Sequence, residues 1–244
     1  MMRTRPVRSY LSRGLSCGAL LALAALVPGA ATEAPAKPID TVPVYQEPMH
    51  RLVFENRLAR VLDVRIPPGV TTGYHQHGAP LAGVAVAVAR TRSQRLGEAP
   101  GAVEERGEVP HLFDNWGGTL PYTHRVTNED SVELHYVVGE WLASSGVEAK
   151  IEPADSGLEL VKEGPTARVW RATVPPHATL AAHVHTSPGL SIVATAGTLR
   201  WEGDAPEASG GAGAGSWSFR RAGARHLLRN DGDTAVTIYE IDWR

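Results

Sequence analysis

An internal repeat constrains this chain more than any other feature. From Ala59 it reads Ala-Arg-Val-Leu-Asp-Val-Arg-Ile-Pro-Pro-Gly and runs on to His75 and His77. From Ala167 it reads Ala-Arg-Val-Trp-Arg-Ala-Thr-Val-Pro-Pro-His and runs on to His183 and His185 in the same register. A later element recurs too, His124 to Asn128 matching His226 to Asn230 as His-x-x-x-Asn. A period of about a hundred residues is a domain's length and far longer than a solenoid unit, so the repeat predicts two copies of one domain.

Alternation gives the histidines their meaning. Residues i and i+2 of a strand face the same way, so His75 and His77 project to one face, as do His183 and His185. A third imidazole from a neighbouring strand, His124 in copy one and His226 in copy two, completes a three-nitrogen set with open positions, an arrangement that suits a divalent transition metal. Iron, manganese, copper and zinc all remain open. The competing reading is a degenerate barrel whose histidines bond one another or water.

These residues resemble the motifs of the cupin superfamily, Gly-x5-His-x-His-x3or4-Glu-x6-Gly followed by Gly-x5-Pro-x-Gly-x2-His-x3-Asn. Gly69, His75 and His77 fit the first motif in copy one; His185 and Gly197 keep its spacing in copy two, where Gly215, Gly223, His226 and Asn230 fit the second. The resemblance covers residues 50–244 and implies an all-β chain of two tandem double-stranded β-helix barrels, a bicupin. Departures accompany it. The motif glutamate is replaced by Leu81 or Ala82 in copy one and by Gly189 or Leu190 in copy two, so the expected sites hold three histidines at most. His177 replaces the first glycine of copy two and Arg221 its proline, while copy one has Ala89 and Pro121 at glycine positions.

Residues 1–31 read as a signal peptide. Arg3, Arg5, Arg8 and Arg13 precede the apolar run Gly18 to Val27, and Gly29-Ala30-Ala31 supplies small residues for cleavage. The run is too short to span a bilayer, which takes about 20 residues. Without an Arg-Arg pair the general export route is expected, giving a periplasmic or secreted protein with no membrane attachment after cleavage. Cys17 is the only cysteine, so the mature chain has no disulfide, thiolate ligand or cysteine nucleophile. Cleavage also removes four of the 24 basic residues and none of the 26 acidic ones, which gives no support to nucleic-acid binding.

Residues 32–49, with Pro35, Pro38, Pro43 and Pro48, read as a linker before barrel one at 50–143; a second linker at 144–157 precedes barrel two at 158–244. Strands are expected at 52–55, 59–66, 122–127, 131–138, 158–162, 167–174, 179–185, 190–194 and 198–201. Hairpins are expected about Asn128-Glu129-Asp130 and Asp231-Gly232. Leu81 to Ala89 is apolar on both faces and should pack against the other barrel or another subunit, which would make a homodimer. Residues 93–118 read as a long loop carrying a short strand, and the loop 209–215 as mobile. Phe113, Trp116 and Tyr122 make copy one the expected place for a substrate pocket. His50 and His177 are expected at the surface, His111 either supporting a ligand from behind or solvated, and His135 facing away from its barrel's interior. Arg60 and Arg168 are expected to act as ion-pair donors, and Asn128 and Asn230 as turn residues. The functional expectation is an exported metal-dependent dioxygenase or isomerase acting on a small oxygenated molecule; the alternative is a non-catalytic ligand-binding or structural bicupin.

Overall fold

Strand alternation decides the architecture. In the computed structural model, which describes residues 39–244 apart from Arg106 and Pro153, the single helix among the described residues is a 3-10 turn, Val44–Gln46. Everything else regular is strand. The signal peptide expected at 1–31 lies outside the described residues.

Each repeat copy folds into two facing sheets. In barrel one, the order Thr41–Pro43, Tyr74–His77, Tyr122–Asn128, Thr91–Arg95, Val103–Glu104 faces the order His50–Glu55, Ala59–Ile66, Leu134–Trp141, Leu81–Ala87, His111–Asp114. In barrel two, Ile151–Glu152, Thr179–His185, Arg225–Asn230, Leu199–Gly203 faces Glu159–Glu163, Ala167–Val174, Val236–Trp243, Gly189–Val193, Trp217–Arg220, Ala208–Gly210. Among the described residues every strand pairing is antiparallel except that of Thr41–Pro43 with Tyr74–His77. Leu62, Val64, Ile66, Leu134 and Val138 fill barrel one, and Ala172, Val174, Leu228 and Ile238 help to fill barrel two.

Opposite faces of the same strands build a third core between the barrels. Val61, Ala82, Val84, Val137 and Trp141 meet Val169, Leu190, Ile192, Phe219, Ile241 and Trp243 there. Leu81–Ala87 is apolar on both faces for this reason: Leu81 points into its own barrel and Ala82 and Val84 point at the other. At the centre the Trp141 and Trp243 rings stack with centroids 5.1 Å apart and planes 6° from parallel. Gly139 makes room for them, since a Cβ there would fall 2.5 Å from the Trp243 ring.

Several sequence expectations are corrected. The linker 32–49 is structured at its end, because Thr41–Pro43 joins a sheet and Val44 is buried. The linker 144–157 likewise contributes Ile151–Glu152, which pairs with Thr179–His185. Residues 93–118 hold parts of three strands where one was expected. The two expected hairpins do not pair: Tyr122–Asn128 and Leu134–Trp141 belong to opposite sheets, as do Arg225–Asn230 and Val236–Trp243. The asparagines are turn residues as expected, and they carry the chain across. Asn128 Nδ2 donates to the carbonyls of Ile66 and Val132, and Asn230 Nδ2 to those of Val174, Pro175 and Thr234.

Removing an indole from the shared core leaves a cavity that both barrels line. Trp243→Ala is expected to lower stability by about 3–5 kcal/mol in urea or guanidinium unfolding. A loss below about 1 kcal/mol would place the stack outside the core.

Candidate metal centres

Two clusters form where the repeat predicts them. Strand pairing sets His75 opposite His124 and His183 opposite His226, and the i, i+2 partners His77 and His185 complete each trio. One candidate ligand atom from each of His75, His77 and His124 lies within 4.8 Å of the others. The second trio, His183, His185 and His226, meets the same criterion together with a fourth residue, Glu240.

Glu240 overturns the expectation of three histidines at most in copy two. It enters from the final strand rather than from the motif position, and it is fully buried. Its Oε1 stands 3.7 Å from His226 Nε2 and its Oε2 stands 3.8 Å from His185 Nε2. Two ligands each about 2.1 Å from one ion stand about 3–4 Å apart, so these separations fit a shared cation. In the repeat register Val138 occupies the corresponding place in copy one, because Trp141 and Trp243 pair equivalently with Ala59 and Ala167.

The surroundings aim these atoms inward. His183 Nδ1 donates to the Ala181 carbonyl at 2.8 Å, leaving Nε2 as the acceptor. His185 Nδ1 is engaged by Asp242 Oδ2 at 2.9 Å. Arg220 Nη2 lies equally near that nitrogen, but both groups are donors when Nδ1 carries its proton, so the guanidinium belongs with Asp242 and Glu240. Arg220 Nη1 holds the Oε2 of Glu240 at 2.9 Å and the Ser191 hydroxyl at 3.0 Å. As a result His183 Nε2, His185 Nε2, His226 Nε2 and Glu240 Oε1 converge without a hydrogen-bond partner. Burial pushes the Glu240 carboxyl up, but Arg220, His226 and His185 outweigh it and hold the group well below the usual carboxylate range. Four unpartnered buried donor atoms at one point are costly unless something fills the space. A divalent cation suits the set of three imidazoles and one carboxylate.

Barrel one is built differently. His75 Nδ1 donates to the Gly73 carbonyl at 3.0 Å, freeing Nε2. The Nε2 atoms of His77 and His124 are 3.1 Å apart, and Ser93 Oγ reaches His124 Nδ1 at 3.0 Å. His50, expected at the surface, is 7 % exposed and its ring lies 4.3 Å from that of His75. Glu47 fixes it: Oε2 meets His50 Nδ1 at 2.7 Å while Oε1 accepts from Gly73 N at 3.1 Å. Strand Thr41–Pro43 and the turn after it bring Glu47 here from the expected linker. His135 faces away from its barrel as expected, bonding Asp63 at 2.8 Å, and His111 and His177 are exposed. Arg60 and Arg168 are the expected ion-pair donors, to Glu55 and Glu163.

The two centres differ in access. Tyr122 stacks on His77 at 4.8 Å, and Tyr122 and His124 line a cavity of about 520 Å³. Phe113 and Trp116 do not share it in the way expected. Phe113 packs on Tyr136 at 4.8 Å, while Trp116 crosses to barrel two, against Gly164 and beneath Lys162. In barrel two all four residues are buried and Trp201 covers His226, the ring centroids 4.4 Å apart.

Two outcomes follow. Arg220→Met leaves two buried carboxylates without their cation and is expected to cost about 3–5 kcal/mol in denaturant unfolding, with a loss near zero refuting the pairing. The second concerns pH. Burial, aided by neighbouring imidazoles, holds His75 down at about 4, His124 at about 3 and His77 at about 2. The unfolded chain takes up protons near about pH 6.5 that the fold refuses, so their full stability is present above that pH and is lost as pH falls toward about 4. Metal-free protein should lose up to about 1.4 kcal/mol per pH unit per histidine in that window. His75→Phe should flatten the slope; an unchanged slope would mean that His75 is not held neutral.

No family model matches the sequence, and no curated protein sequence matches it. Solved structures do. AerE from Microcystis aeruginosa aligns with a TM-score of 0.55 at 11% identity, covering 81% of this chain and 98% of that one. Oxalate decarboxylase from Lactobacillus farciminis, in its formate complex, gives 0.53 at 13% identity over 77% of both chains. A Bacillus subtilis oxalate decarboxylase structure gives 0.50 at 14% identity, covering 77% and 69%. Among the described residues no helix is long and apolar enough to cross a membrane. With two facing-sheet barrels in tandem and these neighbours, the chain has the two-barrel cupin fold.

Proposed function

We propose that this is an exported metal-binding bicupin that acts on a small oxygenated molecule as a metal-dependent dioxygenase or isomerase. The convergence of four buried, unpartnered ligand atoms from His183, His185, His226 and Glu240 carries the metal reading. His75, His77 and His124 would hold a second ion, at the centre where a candidate ligand, His124, itself lines a cavity. A Bacillus subtilis oxalate decarboxylase of the same fold has Mn(II) centres, which supports manganese among the candidates beside iron, copper and zinc. Export rests on the sequence of residues 1–31.

A bound divalent ion would supply Lewis acidity or, if redox-active, a place for dioxygen beside the substrate. The chain's own residues divide the remaining work. Closed sites with complete protein ligation are commonly structural, and open ones catalytic. Barrel one therefore offers the reactive centre: Tyr122 and His124 face the cavity, and Glu47 and His50 fix the orientation of His75. Closure of the barrel-two centre under Trp201 favours a structural ion there, and if barrel one holds none, the protein is a non-catalytic binding bicupin.

Elemental analysis of tag-free mature protein tests the reading. The expected result is about one or two equivalents of one transition metal, with His183→Ala losing the barrel-two ion and His75→Ala the barrel-one ion. Protein that stays empty after incubation with iron, manganese, copper and zinc would end the metalloprotein reading. Metal loss in His183→Ala alone would leave barrel one without its reactive centre.

A further inference from the structure

Barrel two has a second cavity, of about 780 Å³, at its mouth. Strand alternation sends Leu190, Ile192 and Phe219 toward the other barrel, so Ser191 and Ser218 face inward and line the cavity, as does Trp217, which also reaches the shared core. Trp201 and the segment Ser209 to Gly213 also line it. Among the described residues no charged side chain lines this space, whereas Ser191, Thr198, Ser209, Ser216 and Ser218 all do. Ser218 is 3 % exposed and its hydroxyl has no hydrogen-bond partner.

From this lining we infer that the cavity binds a small, neutral, polyhydroxylated molecule of the sugar or cyclitol class. A hydroxyl both donates and accepts, so a wall of serines and a threonine is satisfied best by a ligand whose own groups do both. A charged ligand would enter without a counter-ion and lose its hydration uncompensated. The indole of Trp201 offers a flat apolar face to the C–H side of such a ring, while the hydroxyls meet its rim. The volume lies in the range of small-molecule sites. Ser191 also hydrogen-bonds Glu240 and Arg220, so the ligand would sit one hydroxyl away from the buried cluster without joining it. The inference does not rest on a metal being bound there.

The ligand class is tested by titrating glucose, mannose, galactose and myo-inositol into the whole mature protein, following tryptophan fluorescence and calorimetry, with succinate as the charged control. Each titration is run with and without prior chelation. Saturable binding of at least one neutral probe below about 10 mM is expected, with succinate neither binding nor competing. Ser218→Ala should weaken that binding about three- to tenfold. The same change should leave the melting temperature unchanged or raise it, because the hydroxyl it removes has no partner in the protein; a merely structural serine would lower it. Trp201→Ala should weaken binding at least about tenfold, with circular dichroism checking the fold. No saturable binding of the four probes up to about 50 mM, equal binding of succinate, or affinity unchanged in both variants would each overturn the inference. Sensitivity to chelation speaks to the metal reading alone.

Discussion

Successive residues of the strands Leu134–Trp141 and Val236–Trp243 turn alternately to one of two interiors, with Thr237 left half-buried beside Thr173. In Val236–Trp243, the even positions Val236, Ile238, Glu240 and Asp242 face their own barrel, and the odd positions Tyr239, Ile241 and Trp243 face its twin. A one-residue slip would exchange these sets and put two carboxylates into the apolar seam. The register of these strands therefore fixes at once how the barrels meet and where the barrel-two carboxylate stands.

The same geometry explains the asymmetry between the centres. The two final strands occupy equivalent places, yet copy two puts Glu240 where copy one puts Val138, and Asp242 where copy one puts Glu140. Arg220 makes the acidic version tenable, since one buried guanidinium serves both carboxylates. Copy one lacks that support. Glu140 is buried at 1 % exposure and pushed up to about 7 by burial, with Arg60 at 3.7 Å drawing it back. Copy one instead surrounds its histidines with His50 and Glu47, leaving His124 partly open.

The repeat made much of this legible. Ala-Arg-Val, Pro-Pro and His-x-His in one register located both histidine trios, and the two-sided apolar strand at 81–89 announced the contact between barrels. What escaped depended on long-range placement. Glu240 was hidden because a motif records local spacing, while this carboxylate arrives from the last strand; its signal was a pair of acids, Glu240 and Asp242, at inward positions of the otherwise apolar run Ile238 to Trp243. Glu47 and His50 were hidden by proline-rich surroundings that resemble a linker. The hairpins failed because a tight turn gives the chain's reversal and not the sheet that it rejoins, which Asn128 and Asn230 decide by bonding carbonyls on other segments.

His75 and His183 each donate Nδ1 to a backbone carbonyl two residues earlier. The proton's position on these rings is thus set by a carbonyl within two residues of each ring. Substitution elsewhere can rebuild the other ligands and their partners while this nitrogen keeps its direction. Such a segment is a durable starting point from which the two copies were free to diverge, one toward a closed set with a carboxylate, the other toward an open set of imidazoles.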